Sequence, residues 1–350
     1  MKLLYEENLS IKPVFTNNIV RTVKKYCPKE KIVVVAAEKI LKFYPSLKND
    51  FSNLGIVVIP FKDGEKIKNF KFMKQLSNLL LKEGVDKDTT ICAIGGGTLL
   101  DLCGFVASIL LRGIKWFSIP TTLLSMADSS IGGKTAINTD FGKNLIGSYH
   151  FPQNIFVDIN FLKTLPAYHL KNGLIECLKC GIIKDKNLFE KCIKADFKDL
   201  FSLRKIVERA QEIKIEIVTK DPFEKKGERY LLNFGHTVGH SLEKIFNYKV
   251  SHGRCVAKGI VYESALSNVH GFLKSEDFQI IKNAVSSISV HIKNIPDIDE
   301  IWENMTYDKK NRGKKVMYVP IREIGKPALK SPYLCEIDYN AFKKAFFLVE

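Results

Sequence analysis

The stretch TTICAIGGGTLLDLCGFVASILLRGIKWFSIP, residues 89–120, decides the fold class of this chain. TTICAI (89–94) reads as a buried strand, GGG (95–97) as a turn, and the apolar run that follows as a helix. IKWFSIP (114–120) then reads as a second strand. This order predicts two parallel strands joined by a crossover helix.

The same alternation extends toward the N-terminus. KIVVVAA (31–37) and GIVVIP (55–60) read as two further strands, each followed by a helical stretch. Four strands alternating with helices predict an α/β domain with a parallel, Rossmann-like sheet that is covered on both faces. Ligands of such sheets bind at the carboxyl ends of the strands, where GGG (95–97) and PTT (120–122) both lie.

Beyond about residue 160 the pattern becomes mostly helical. We therefore expect an α/β domain over 1–160 and a mainly helical domain over 161–350. The predicted helices are 166–184, 186–197, 203–220, 229–247, 253–270 and 274–288, with a short strand at 314–321.

Composition is typical of a soluble globular protein. The chain has 350 residues, 45% of them hydrophobic and 26% charged, which suits two globular domains. It contains no apolar run near the ~20 residues that a membrane span needs. The opening residues, MKLLYEENLSIK, lack a signal-peptide core. We expect a cytoplasmic protein with no membrane contact.

The net charge of +16 raises the alternative of a nucleic-acid-binding protein. The lysines are spread along the chain and form no recognisable nucleic-acid module. We expect solvated basic faces, no nucleic-acid partner, and an anionic small-molecule substrate that uses part of the charge. Cys177 and Cys180 form a C-x-x-C inside a helical stretch, where core packing is favoured over a redox or metal role.

Residues that could bind a metal occur in three separate motifs. They are Glu176 in NGLIECLK, His236 and His240 in NFGHTVGH, and His252 in VSHGRC. One carboxylate and two imidazoles suit a catalytic divalent metal with open positions, with zinc favoured and cobalt or iron also fitting. His236 and His240 lie one helical turn apart, so the pattern does not decide which two histidines bind.

A glycine- and lysine-rich segment, PTTLLSMADSSIGGKTAINTDFGKNLIGSYHFP (120–152), indicates a second site. Two glycine turns each carry a lysine, Lys134 and Lys143, and Asp128 and Asn144 add an acceptor and an amide. Such a segment suits a phosphate or nucleotide cradle. The alternative is an ordinary surface loop.

These motifs, in their order and spacing, resemble the 3-dehydroquinate synthases, which belong to the sugar phosphate cyclases. The matching motifs are GGGTLLDLCGF (95–105), RG (112–113), PTTLLSMADSSIGGKT (120–135), GKNLIGSYHFP (142–152), TLP (164–166), NGLIECLK (172–179), LLNFGHTVGHSLE (231–243) and SHG (251–253). The resemblance covers about residues 60–325. It implies a dehydroquinate synthase-like fold and conversion of 3-deoxy-D-arabino-heptulosonate 7-phosphate (DAHP) into 3-dehydroquinate and phosphate, with a recycled NAD and a divalent metal.

The resemblance also implies residue roles. The metal ligands would be Glu176, His236 and His252. The NAD-contacting positions would be Glu65, Lys68, Gly96, Gly97, Asp101, Thr121, Thr122, Asp128, Lys143, Thr164 and Leu165. The substrate positions would be Lys134, Asn144, Lys179, Lys214, Arg229, Asn233 and His240, completed by Lys309 or Lys310. Arg112 would reach the phosphate pocket of the neighbouring subunit in a homodimer.

The chain departs from the family pattern at three places. Ala36-Ala37 replaces an acidic or amide corner after the first strand, Arg254 replaces the glutamate of HGE, and the loop before Arg229 is one residue longer. Two other enzyme classes stay open. One is a related cyclase of the 2-deoxy-scyllo-inosose or 2-epi-5-epi-valiolone synthase type. The other is a metal-dependent polyol dehydrogenase.

Overall fold

The computed structural model describes residues 12–288, 292, 294–306 and 315–350. Contacts within the backbone divide the chain into a first unit that ends at Pro166 and a second that begins at Ala167. Among the described residues, no helix combines the length and the apolar character needed to cross a bilayer. The predicted pocket lysine, Lys309 or Lys310, lies outside the described residues.

The first unit is built on a six-stranded parallel sheet. In chain order the strands of this unit are β1 (Val14–Phe15), β2 (Ile32–Ala37), β3 (Val57–Phe61), β4 (Thr90–Gly95), β5 (Lys115–Pro120), β6 (Lys134–Thr139), β7 (Gly142–Tyr149) and β8 (Asn154–Val157). The order in the sheet is β1-β8-β5-β4-β2-β3, with every pairing parallel. The four predicted strands are β2 to β5, and the predicted α/β class is confirmed.

In the described part of this unit, five α-helices accompany these strands: α1 (Ile19–Tyr26), α2 (Glu38–Phe43), α3 (Pro45–Ser52), α4 (Phe70–Lys82) and α5 (Gly97–Ile109). α5 is the crossover between β4 and β5. Eight of its 13 residues are buried, which explains why its sequence is apolar on nearly all sides. The glycine run thus ends β4 and begins α5, as predicted.

The second half of the segment interpreted as a phosphate or nucleotide cradle (120–152) folds as a β-hairpin. β6 and β7 pair antiparallel, with Lys134 opposite Tyr149 and Ile137 opposite Ile146. The glycines and lysines obscured the alternation of a strand. β1 and β8 were also not predicted, because two- and four-residue strands carry little periodicity and depend on their tertiary partners.

The second unit is mainly helical, as predicted. Its helices are α6 (Ala167–Lys184), α7 (Lys186–Ile193), α8 (Leu200–Lys220), α9 (His236–Ile245), α10 (His252–Val269), α11 (Ser275–Ile288), α12 (Ile298–Thr306) and α13 (Tyr339–Val349). Its described residues also include four short strands: β9 (Val316–Tyr318), β10 (Ile321–Glu323), β11 (Lys326–Pro327) and β12 (Cys335–Ile337). Thirteen of the 18 residues of α6 are buried, including Cys177 and Cys180, which therefore serve as core positions.

The predicted single helix over 229–247 is wrong. A 3-10 helix over Glu228–Asn233 is followed by Phe234 and by Gly235, whose φ of 78° is left-handed. Glycine adopts this conformation without steric cost, and it interrupts the helical path. α9 therefore starts afresh with His236 as its first residue.

Candidate metal centre and cofactor-binding residues

Three helices bring a carboxylate and two imidazoles together in the second unit. Glu176 lies in the middle of α6, His236 begins α9, and His252 begins α10. One ligand atom from each lies within 4.8 Å of the others. The Glu176 side chain is only 1% exposed, so its charge is held away from bulk water.

Both imidazoles turn the same nitrogen toward Glu176. Its Oε1 lies 3.1 Å from Nε2 of His252 and 3.6 Å from Nε2 of His236. The Nδ1 of His236 lies 3.1 Å from the carbonyl oxygen of Phe234, and the Nδ1 of His252 lies 3.4 Å from Oε1 of Glu243. Partners at Nδ1 favour the tautomer that leaves Nε2 available as a ligand, which is the usual arrangement of metal-binding histidines.

The first turn of α10 packs tightly on α6, and this places His252 beside Glu176. A Cβ on Gly253 would lie 2.6 Å from the Cα of Asn172, so glycine is required for this approach. Ser251 donates a hydrogen bond from Oγ to Oδ1 of Asn172 at 3.0 Å. Asn172 and Glu243 were not predicted from the sequence, because the hydrogen-bond partner of a polar side chain becomes its neighbour only in the folded chain.

Charge is balanced inside the cluster. Nζ of Lys179 lies 2.6 Å from Oε2 of Glu176, and both side chains are buried. Burial alone would raise the pKa of Glu176, but Lys179, His236 and His252 outweigh it and hold that pKa well below its usual range. Burial and the charge of Lys179 hold the pKa of His236 well below its ordinary value.

His252 lies between two carboxylates. Burial lowers its pKa, but the hydrogen bonds to Glu176 and Glu243 outweigh burial and raise the pKa to about 10. The two carboxylates favour positive charge at this position, whether a proton on the imidazole or a metal ion. One oxygen and two nitrogens that converge within a few ångströms are a donor set that fits zinc or cobalt.

His240 belongs to the same cluster. Its ring centroid lies 5.2 Å from that of His236 and 6.3 Å from that of His252. His240, Glu243 and His252 form a second group whose ligand atoms lie within 4.8 Å of one another. In the group with Glu176, the Nε2 atoms of two imidazoles face one carboxylate.

Among the described residues of the second unit, three basic side chains are buried. Lys179, Lys214 and Arg229 are 2%, 6% and 3% exposed, respectively. Lys214 lies on α8, and Arg229 lies in the 3-10 helix that leads through Asn233 to His236. Nη1 of Arg229 donates to the carbonyl oxygen of Pro222 at 2.7 Å. A protein keeps several cations buried only where structure or function demands it.

Asp221 organises the loop before Arg229. Its Oδ1 accepts hydrogen bonds from the backbone nitrogens of Lys225 at 2.7 Å and Lys226 at 3.0 Å. Its Oδ2 accepts a longer one, 3.5 Å, from the backbone nitrogen of Arg229. Burial would raise the pKa of Asp221, but the backbone N–H groups lower it overall.

In the first unit, the glycine turn and the threonines lie side by side. Gly95 at the end of β4 pairs with Pro120 at the end of β5, so the segments after them leave the sheet together. Gly96 precedes α5 and Gly97 begins it, while Thr121 is buried and Oγ1 of Thr122 lies 2.8 Å from Oγ of Ser125. The N-terminus of α5 therefore opens at the carboxyl edge of the sheet, where phosphates bind.

A polar network joins residues that were predicted for different roles. Nζ of the buried Lys68 lies 2.5 Å from Oδ2 of Asp101 and also donates to Oδ1 of Asn144. Asn138 donates from Nδ2 to Oε1 of Glu65 at 2.7 Å and accepts at Oδ1 from the Asn144 backbone at 3.0 Å. Asn138 was not predicted, since nothing in its sequence neighbourhood distinguishes it from a hairpin residue.

The other predicted positions of the first unit lie on several different elements. Arg112 is exposed in the turn after α5, with a φ of 68°. Asp128 lies in a π-helical turn over Ser125–Ser129. The remaining positions are Lys134 at the start of β6, Lys143 on β7, and Thr164 and Leu165 at the end of a 3-10 helix. Ala36 and Ala37 are fully buried at the end of β2.

Family models match both halves of the chain. The model for the 3-dehydroquinate synthase N-terminal region matches residues 58–172, and the model for the C-terminal region matches residues 173–311. A curated 3-dehydroquinate synthase from Thermodesulfovibrio yellowstonii is 38% identical over 313 residues, which cover 85% of each chain. The chain belongs to the 3-dehydroquinate synthase family.

Solved structures of related cyclases share the fold. The 2-epi-5-epi-valiolone synthase of Streptomyces hygroscopicus, solved with NAD+ and Zn2+, superposes with a TM-score of 0.86 at 22% identity over 98% of this chain and 97% of its own. A 2-deoxy-scyllo-inosose synthase complexed with carbaglucose-6-phosphate, NAD+ and Co2+ has a TM-score of 0.83 at 23% identity over 96% of each chain. At these identities the similarity establishes the fold alone.

One departure from the 3-dehydroquinate synthase pattern lies beside the candidate metal centre. Arg254, where the family carries a glutamate, occupies the first turn of α10 and is partly exposed. The carboxylate that faces Nδ1 of His252 belongs to Glu243 on α9. The departure therefore leaves the imidazole with an acidic partner.

Proposed function

We propose that this chain is a 3-dehydroquinate synthase that converts DAHP into 3-dehydroquinate and phosphate. The observation that carries the proposal is the convergence of two imidazole Nε2 atoms on the buried Glu176, in a chain that both halves of the family match. We propose Glu176, His236 and His252 as ligands of zinc, with cobalt as the alternative metal.

The proposed reaction requires the protein to bind two cofactors, a divalent metal and NAD. A divalent metal supplies Lewis acidity toward substrate oxygens, and NAD supplies reversible hydride exchange. Phe234 and Glu243 hold the imidazoles in the ligand tautomer by their contacts at Nδ1. The proposed NAD-binding residues are Glu65, Lys68, Gly96, Gly97, Asp101, Thr121, Thr122, Asp128, Lys143, Thr164 and Leu165.

The buried cations are proposed to bind the anionic substrate. DAHP carries a carboxylate and a phosphate, and Lys179, Lys214 and Arg229 offer positive charge in a region from which water is largely excluded. Arg229 suits bidentate recognition of a carboxylate or phosphate, whereas the lysines act as point charges. The other proposed substrate residues are Lys134, Asn144, Asn233 and His240.

His240 is proposed to hold or move a proton. It lies in the histidine cluster but outside the proposed ligand set, so its imidazole keeps the acid–base capacity that general catalysis needs. The phosphate that leaves the substrate is itself a base and can take the proton that its elimination releases. Together these groups account for proton movement without a further buried carboxylate.

We also propose a cytoplasmic homodimer in which Arg112 serves the neighbouring subunit. Its exposed position in the turn after α5 supports this role. In the test, Arg112→Ala subunits are mixed with His236→Ala subunits. Each variant should be inactive by itself. Mixed dimers should regain about a quarter to a half of the activity if Arg112 acts in trans. No recovery in any ratio contradicts the cross-subunit role, and the exposed Arg21→Ala provides the control.

Phosphate release tests the proposed activity. The protein loaded with zinc and NAD should release phosphate from DAHP with no net NADH, lose activity in chelator, and regain it with added zinc. Sedoheptulose 7-phosphate and glucose 6-phosphate are run in parallel, since the fold is shared with cyclases of other sugars. Turnover of either sugar without turnover of DAHP contradicts the proposal, and accumulation of NADH indicates a dehydrogenase.

A further inference from the structure

Glu263 is a fully buried acidic residue in α10 that the chemistry above does not use. Its carboxyl oxygens accept hydrogen bonds from the backbone nitrogens of Gly235 at 2.8 Å, Thr237 at 2.9 Å and Val238 at 3.5 Å. These three residues surround His236 in the chain. The side chain therefore binds the backbone that carries one of the proposed ligands.

The start of α9 needs such an acceptor. The first N–H groups of a helix have no partner within the helix. Gly235 occupies the N-cap position and has no side chain that could accept them. Glu263 supplies the acceptor from another helix. Burial raises its pKa to about 8, while the backbone N–H groups act in the opposite direction.

α9 and α10 touch through their backbones next to Glu263. A Cβ on Gly259 would lie 2.0 Å from the carbonyl oxygen of Gly235, and a Cβ on Gly235 would lie 2.6 Å from Cγ1 of Ile260. These distances leave no room for a water layer between the two helices. Any shift of α9 is therefore resisted both by packing and by the hydrogen bonds to Glu263.

We propose that Glu263 is a positioning residue of the metal centre: it fixes the start of α9, and with it Nε2 of His236, relative to the helix that begins with His252. The inference rests on the proposed function, because it takes Glu176, His236 and His252 as the ligand set. α10 thus provides one ligand at its first residue and, three turns later, holds the residues around the other.

Glu263→Gln tests this role with almost no change in size. One acceptor oxygen is replaced by an NH2 group that faces backbone N–H donors. We expect the zinc Kd, measured by chelator competition, to rise about 10–100-fold, the range for loss of a residue that orients a ligand. The visible absorption spectrum of the Co2+-loaded protein should also change, since it reports ligand geometry rather than overall stability.

Tyr262→Phe is the matched control. Tyr262 is the neighbour of Glu263 on the same helix, and its hydroxyl donates to Oε1 of Glu350 at 2.7 Å. Its loss destabilises α10 without altering the bonds to α9. The zinc Kd of this variant should stay within about twofold of the wild type.

Three results would overturn the inference. The first is Glu263→Gln with a lowered unfolding midpoint but an unchanged zinc Kd and cobalt spectrum, which marks a purely structural residue. If Glu263→Gln does not fold, Glu263→Asp replaces it, and the measurement becomes the rise in unfolding temperature that zinc produces. The second contradicting result is a zinc-induced rise in this variant equal to that of the wild type. The third is absence of zinc binding by the wild type, which removes the proposed metal centre as well.

Discussion

Lys179→Met should destabilise the metal-free protein strongly, because it removes the cation that pairs with Oε2 of the buried Glu176 and leaves that carboxylate only its contacts with the imidazoles at Oε1. Nζ of Lys179 lies 2.6 Å from Oε2 of Glu176, and the two side chains are 2% and 1% exposed. Methionine keeps most of the length and apolar volume of lysine. The substitution therefore isolates the effect of the charge.

The expected magnitude follows from this geometry. At 2.6 Å, two unit charges attract by about 6 kcal/mol with an effective dielectric constant of roughly 20. Desolvation of both groups offsets much of that attraction, so the net value of the pair is small. Removal of one partner leaves the other unpaired and costs about 3–5 kcal/mol in the free energy of unfolding.

Urea denaturation of chelator-treated protein measures this loss, followed by the same titration with zinc. Zinc bound at Glu176 supplies a countercharge, so the loss should be smaller in the zinc-loaded protein. Glu176→Gln combined with Lys179→Met removes both charges and should recover most of the lost stability. Arg204→Ala breaks the exposed pair with Glu208, whose atoms lie 2.8 Å apart, and should cost less than about 0.5 kcal/mol.

Two results would refute the reasoning. One is a Lys179→Met protein within about 1 kcal/mol of the wild type in chelator, which means that water or another cation compensates Glu176. The other is a double variant as unstable as Lys179→Met alone, which means that the side chain matters through packing and not through charge.

Three further predictions concern other residues of the site. Glu243→Gln should raise the zinc Kd about 10-fold or more, because His252 loses its acidic partner at Nδ1; an unchanged Kd in chelator competition contradicts this. Asn138→Ala should weaken NAD binding about 5-fold by calorimetry, since Glu65 loses a hydrogen bond; wild-type affinity contradicts it. Asp221 has a lowered pKa, so its stabilising effect is present above about pH 4 and lost as the pH falls through its folded-state pKa. Asp221→Asn should therefore be less stable than the wild type at pH 7, with a difference that shrinks below about pH 4; a constant difference in urea midpoints contradicts this.

The sequence was sufficient for the parts of the fold that carry their own periodicity. The apolar runs of β2 to β5 and the helices between them predicted a parallel sheet, because buried strands and crossover helices have distinct patterns. The hairpin β6–β7 was missed, since its glycines and lysines mask a strand. The break at Gly235 was also missed, although it makes His236 the first residue of α9.

The sequence by itself also determined which kinds of residue could form the site, since each carboxylate, imidazole or glycine motif can be recognised separately along the chain. Only the tertiary structure decided which imidazole nitrogens face Glu176, and which further side chains form hydrogen bonds that hold the site residues in place. Glu243, Asn172, Asn138 and Glu263 act through hydrogen bonds to residues 9 to 79 positions away in the chain. Such bonds have no local pattern, because their partners become neighbours only when the helices and strands pack.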